Sequence, residues 1–176
     1  MSAIRIQKIG ITHLSADAIV NAANSSLAAG GGVCGAIFSE AGYQQLASAC
    51  EKIGRCETGN AVITPGFRLL AKYIIHAVGP VYQDGNHREP QLLYSAYQNS
   101  LRLAEEYHCH SIGFPLISAG IFGYPKKQAW RKALQACMDF ISDHPDYEID
   151  IVFAVLDDET KAMGEDTLAE LKSMKY

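Results

Sequence analysis

The sequence predicts an α/β fold built on a mixed, largely parallel β-sheet. Three observations carry that prediction. Short apolar runs alternate with longer segments of helical period from the middle of the chain onward. The apolar runs AIVNA, SIGFPLIS and IDIVFAVL are nearly continuous rather than alternating, as strands covered on both faces are. Residues 59 to 78, by contrast, hold two strand-like runs with no helix between them, which makes the sheet mixed.

Taken in order, Ile4 to Lys8 alternates and reads as a short strand, and Ala18 to Ala22 as a buried one. An uncharged stretch, NAANSSLAAGGGVCGAIF, runs from residue 21 to 38, and a helix is expected from about Gly35 into the early fifties. Ala61 to Thr64 and Tyr73 to Val78 are the consecutive strands, with Pro65-Gly66 turning between them. Leu92, Leu93, Ala96, Tyr97, Leu101 and Ala104 share one helical face. Ser111 to Ser118 reads as a buried strand whose end Pro115 makes irregular. Trp130, Leu134, Cys137, Met138 and Ile141 line a further helix, Ile149 to Leu156 a last strand, and Leu168, Leu171 and Met174 a closing helix. The polar loop Gln83 to Glu89 is expected to be exposed.

A chain of 176 residues suits one domain, residues 1 to 176, and a domain of that size buries roughly 70% of its unfolded surface. The net charge of −4 and pI near 5.8 argue against a large duplex nucleic-acid footprint. No segment has the roughly 18 consecutive apolar residues of a membrane span, and the N-terminus lacks an export signal, so a cytoplasmic protein is expected. The five cysteines form no CxxC pair and are expected to be reduced. His108-Cys109-His110 lacks the second ligand pair of a zinc site, so no metal is expected.

Two loops follow apolar strands and contain no Lys or Arg: Asn24 to Cys34, and Ser118 to Pro125. Ligands of open α/β sheets bind beyond the carboxyl ends of strands. Glycine lets backbone N–H groups approach an anion, and a helix N-terminus near Gly35 adds its dipole. A diphosphate is therefore the ligand class expected. There is no GxxxxGK[ST]. Gly30, Gly32 and Gly35 satisfy GxGxxG, but Asn24 to Ala29 separate them from their strand, unlike a dinucleotide-binding turn.

The blocks DAIVNAANSSLAAGGGVCGAIFSEAG (17 to 42), TGNAVITPG (58 to 66), YIIHAVGPVY (73 to 82) and SIGFPLISAGIFGYP (111 to 125) resemble the macrodomain family. The group they resemble most is the MacroD-type, which includes bacterial O-acetyl-ADP-ribose deacetylases. The resemblance implies a three-layer α/β/α sandwich with about six strands and a cleft for ADP-ribose or an ADP-ribosylated protein. It implies no cofactor, and a monomer is expected. By position, Gly31, Gly32 and Val33 would follow the diphosphate and distal ribose. Ser118, Ala119, Gly120, Ile121 and Phe122 would close over the phosphates, with Phe122 on the sugar. Asn24 would bond the distal ribose hydroxyls, and Ile11 would touch the adenine side.

Three departures from the family pattern bear on function. IGIT places Gly10 where the family often has an Asp that accepts from the adenine amino group. AVLDDE places Leu156 where an aromatic ring often stacks on adenine. Together these losses amount to roughly 1 to 3 kcal/mol unless Asp157 or a backbone group compensates. GGGVCGAIF replaces the pattern GGGVDGAIH, so Cys34 stands for the Asp and Phe38 for the His. A carboxylate there would fix the ribose and attacking water during departure of an oxocarbenium-like sugar, and a thiol makes no equivalent charge-assisted bond. The expected activity is removal of mono-ADP-ribose from proteins or deacetylation of O-acetyl-ADP-ribose. The alternative is a non-catalytic reader of ADP-ribose or a related nucleotide diphosphate. A thiolate nucleophile at Cys34 would need His13, His76 or His87 brought close. His76, inside an apolar strand, reads as a core histidine, and Lys126 and Lys127 as a solvated pair.

Overall fold

The computed structural model describes residues 1–174. Six strands form one sheet in the order β1-β6-β5-β2-β4-β3. They are β1 (Ala3–Lys8), β2 (Ala18–Ala23), β3 (Ala61–Pro65), β4 (Tyr73–Val78), β5 (Ser111–Phe114) and β6 (Asp150–Val155). Every neighbouring pair is parallel except β3 with β4, which is antiparallel. Helices α1 (Gly32–Ala41) and α2 (Tyr43–Ile53) cover one face. Helices α3 (Glu89–Glu106), α4 (Lys126–Asp143) and α5 (Asp158–Met174) cover the other. The three-layer α/β/α sandwich with its mixed six-stranded sheet is therefore present as expected.

Side chains of β2 alternate between the two cores. Ala18 and Val20 join the layer under α3 and α4, while Ile19 and Ala23 join the layer under α1 and α2. Alternation is invisible in the sequence because both faces are apolar. The larger core is aromatic. Phe153 stacks on Phe114 at 5.5 Å and meets the Trp130 ring edge-on at 5.2 Å, with Tyr97 at 6.0 Å. Truncating such a side chain to Ala typically costs about 3–5 kcal/mol.

Two expectations about boundaries are corrected. The single helix expected from Gly35 is two helices, and the first begins at Gly32. Gly42 divides them with φ at 110°, a value L side chains rarely adopt. Strand β5 ends at Phe114, because Pro115 has no N–H for the ladder. The polar loop from Gln83 to Glu89 is largely exposed, as expected, except at its end, where the side chain of Glu89 is only 1% exposed.

Strands β2 and β5 are adjacent and parallel, yet their chains leave toward opposite faces: β2 leads to α1, β5 to α4. The loops after them must therefore diverge, and a crevice opens at this switch point.

Candidate functional site

The crevice is a cleft of about 440 Å³. One wall is Asn24 and Gly30 to Cys34, from the connection between β2 and α1. The other is Pro115 to Ser118 with Gly120 to Phe122, after β5. Ala22 and Ala23 of β2, Gly79 after β4 and Leu156 after β6 complete the lining. All four contributing strands are consecutive in the sheet and end at the same edge.

Both walls present backbone donors. Among the described residues no acceptor is bonded to the N–H groups of Gly31, Gly32, Val33 or Cys34. The same holds for Gly120, Ile121 and Phe122. The first run is the open N-terminal turn of α1, whose N–H groups have no intrahelical acceptor by geometry. Gly32 begins that turn at φ 58°, a conformation glycine adopts without strain. The second run is a tight loop held by Gly123 N–H donating to Gly120 O at 3.0 Å and Tyr124 N–H donating to Ser118 O at 2.9 Å. Among the described residues no Lys, Arg, Asp, Glu or His lines the cleft. Two uncharged walls of unpaired N–H groups, beside a helix N-terminus, suit a diphosphate.

The polar side chains at the cleft are engaged with backbone. Asn24 donates from Nδ2 to Ala28 O at 3.1 Å, while its Oδ1 accepts from Ala28 N–H at 3.0 Å and Ser26 Oγ at 2.9 Å. Its carboxamide thus closes the first loop on itself. Ser118, with φ at 68°, donates from Oγ to Pro80 O at 2.7 Å. Gly79 lets that contact form, since a Cβ there would lie 2.3 Å from Ser118 Oγ. Cys34 is 8% exposed at the floor of the first wall, and its Sγ lies 4.0 Å from Ala28 O. Ile121 is 95% exposed at the rim and Leu156 is 70% exposed.

Ile11 and Ala119 are placed outside this lining. Ile11 is buried in a short 3₁₀ turn, Ile11–His13, against the α1 side of the core, and Ala119 packs toward the larger core. Sequence reasoning missed Gly79 and the segment Pro115 to Ile117. Gly79 follows its strand directly in HAVGP, the one local sign that the backbone must come close there.

Asp157, the candidate substitute for adenine recognition, accepts from Thr160 N–H at 2.7 Å and caps α5. That bond comes first among the interactions holding its carboxyl below the ordinary range. Phe38, at the family histidine, is buried at 1% exposure and packs on Tyr43. None of the three histidines considered is hydrogen-bonded to Cys34. His13 lies 3.9 Å from Glu40, and His87 Nδ1 lies 2.9 Å from Asp84 Oδ1. His76 is fully buried, 3.1 Å from Asn21 Nδ2 and 3.0 Å from Thr64 Oγ1. Burial pulls its pKa down to about 4, so it is neutral at pH 7. Thr64 Oγ1 donates to Pro65 O, so His76 Nε2–H is the donor and Nδ1 accepts from Asn21. Lys126 and Lys127 reach Thr160 and Glu170 rather than the cleft.

The sheet order, the two uncharged walls and the cleft at the switch point define an α/β protein whose cleft is walled by unpaired backbone donors. Residues 20–133 match the Macro domain family. The chain is 50% identical over 151 residues to a macro domain-containing protein of Chlorobaculum tepidum, covering 86% of this chain and 87% of that one. It is 49% identical over 163 residues to the O-acetyl-ADP-ribose deacetylase of Salmonella typhimurium, covering 90% of each. Among solved structures, the Oceanobacillus iheyensis macrodomain with ADP superposes at a TM-score of 0.90, with 34% identity over 96% of this chain and 91% of that one. A Trypanosoma brucei macrodomain in complex with ADP-ribose superposes at 0.85, with 36% identity over 93% of this chain and 68% of that one. The chain belongs to the Macro domain family. Among the described residues no helix is long and apolar enough to cross a membrane.

Proposed function

We propose that the cleft binds ADP-ribose, with the diphosphate between the two runs of N–H groups, and that the chain hydrolyses esters of ADP-ribose. The observation that carries the reading is the pairing of Gly31 to Cys34 with Gly120 to Phe122 across one cleft whose described lining carries no charged side chain. Kinship with proteins named O-acetyl-ADP-ribose deacetylase, and the ADP and ADP-ribose held by structural relatives, support the same ligand. Substrates are O-acetyl-ADP-ribose or mono-ADP-ribosylated proteins. In deacetylation, water adds to the acetyl carbonyl, the ester C–O bond breaks, and the ribose oxygen takes a proton, giving acetate and ADP-ribose. Among the described residues no carboxylate or imidazole lines the cleft, so in this reading the ligand's own phosphate serves as the base for that water.

The second reading is a non-catalytic reader, favoured by the thiol of Cys34 in the cleft wall, at the position where the MacroD-type pattern that the sequence resembles would place a carboxylate. Two measurements separate the readings. Titration calorimetry with ADP-ribose, ADP and NAD tests the ligand. Single-turnover assays with O-acetyl-ADP-ribose and with a protein mono-ADP-ribosylated on acidic side chains test catalysis. Binding with turnover supports the hydrolase, binding without turnover the reader, and absence of binding refutes both.

A further inference from the structure

We infer that Glu89 is a positioning residue for the second wall of the cleft, acting through the loop 82–88 and the ring of Tyr82.

Glu89 opens α3 after Arg88, which has φ at 63°. Its carboxylate folds back under the preceding loop. Oε2 accepts from the N–H groups of Gln83 at 2.8 Å, Asp84 at 3.1 Å and Gly85 at 3.2 Å, and Oε1 accepts from His87 N–H at 2.6 Å. The residue is 1% exposed. Burial by itself would raise its carboxyl, but the N–H donors outweigh that and hold it at about 2. One charge thus gathers four backbone donors of the loop. The cluster it forms with Asp84 and His87 has the spacing of metal ligands. Its atoms are bonded instead to the loop amides and to one another, which makes it a brace rather than a cation site.

The brace continues into the cleft. Tyr82 immediately precedes the first amide that Glu89 holds. Its N–H donates to Phe122 O at 2.8 Å. Its ring meets that of Tyr124 edge-on at 4.9 Å. Tyr124 is 3% exposed and closes the loop 118–124 through its N–H bond to Ser118 O. Burial first, then the neighbouring Tyr82 and Glu89, push its phenol up to about 12, as expected if the carboxylate lies close behind it. Gly120, Ile121 and Phe122, whose N–H groups form the second nest, therefore hang from one face by Ser118 and Tyr124 and from the other by Tyr82. No side chain of the nest makes a hydrogen bond that would fix its aim, so its geometry depends on this outer support.

Glu89→Gln tests the inference. A carboxamide has one acceptor oxygen, so either His87 or the Gln83–Gly85 trio then meets an NH₂ group. Amide hydrogen exchange reads the loop without any ligand. The amides of Gly123 and Tyr124 should exchange at least about threefold faster in Glu89→Gln, while those of α1 stay at the wild-type rate. Exchange at Gly123 and Tyr124 increased by less than threefold overturns the inference. A second readout rests on the ADP-ribose reading. Glu89→Gln should weaken ADP-ribose by about 5- to 20-fold in the wild-type background and by less than about twofold in a Tyr82→Ala background, where the ring that carries the coupling is gone. Equal losses in both backgrounds would overturn action through this wall. If wild type binds no ADP-ribose, the ligand reading fails and exchange alone decides for or against Glu89. If Glu89→Gln does not fold, Tyr82→Ala, which leaves the Glu89 cradle intact, must accelerate the same two amides. No acceleration there refutes the linkage.

Discussion

Gly31 offers a direct test of where the diphosphate sits. Its backbone is extended, with φ −88° and ψ −174°, and a Cβ added there meets nothing within 4 Å. Gly31→Glu therefore introduces neither strain nor a clash, and thermal stability should stay within about 0.5 kcal/mol of wild type. Gly32 also has open space, but its φ of 58° penalises any side chain by about 1–2 kcal/mol. The comparison separates folding from binding. A carboxylate at 31 occupies the space before the N-terminal turn of α1 and competes for its N–H groups. A carboxylate and a phosphate about 5 Å apart repel by roughly 1–3 kcal/mol for effective dielectric constants between 80 and 20. That is about a 5- to 150-fold loss of affinity before any steric exclusion. Calorimetric titration with ADP-ribose, alongside a thermal melt, measures both quantities. A folded Gly31→Glu protein that binds ADP-ribose with wild-type affinity would refute the placement of the diphosphate at this wall. Gly32→Glu should lose binding too, but with a lowered melting temperature.

Four further outcomes are expected. Asn24→Ala removes the carboxamide that closes the loop on Ala28 and should lower stability by about 1–2 kcal/mol by chemical denaturation; an unchanged midpoint would mean the loop closes without it. If turnover is slow for want of a carboxylate, Cys34→Asp should raise single-turnover release of ADP-ribose by about tenfold, equivalent to about 1.4 kcal/mol, with Cys34→Ser as the uncharged control; a fast wild type slowed by Cys34→Asp and inactivated by iodoacetamide would favour a thiolate. Leu156→Tyr adds a ring beside the cleft and should tighten ADP-ribose by about 3- to 10-fold relative to ribose 5-phosphate, compared by calorimetry, and equal effects on both would place adenine elsewhere. His76, with its folded pKa of about 4 below the unfolded 6.5, contributes stability that is fully present above pH 6.5 and is lost as pH falls toward 4. The difference, 6.5 − 4 = 2.5, corresponds to about 3 kcal/mol, so His76→Asn should flatten the stability profile between pH 6.5 and 4 in denaturant titrations, and an unchanged slope would exclude His76 as its source.

The sequence by itself determined the elements and their class. Continuous apolar runs such as IDIVFAVL marked strands covered on both faces, and the absence of a helix between β3 and β4 marked the one antiparallel pair. It also pointed to two glycine-rich loops without Lys or Arg as the places where backbone N–H groups come to the surface, and both contribute to the lining of the cleft. Helix bounds near Gly35 and Gly42 were misread because a φ of 110° is a property of the fold around a glycine, not of the glycine's neighbours in sequence. Tertiary structure alone decided what distant segments share. Strand order set β2 beside β5 and sent their loops to opposite faces, and only that divergence opens a cleft between residues about ninety positions apart. The role of Glu89 was hidden for the same reason: a polar loop reads as solvated until the chain folds back and four of its N–H groups converge on one buried carboxylate.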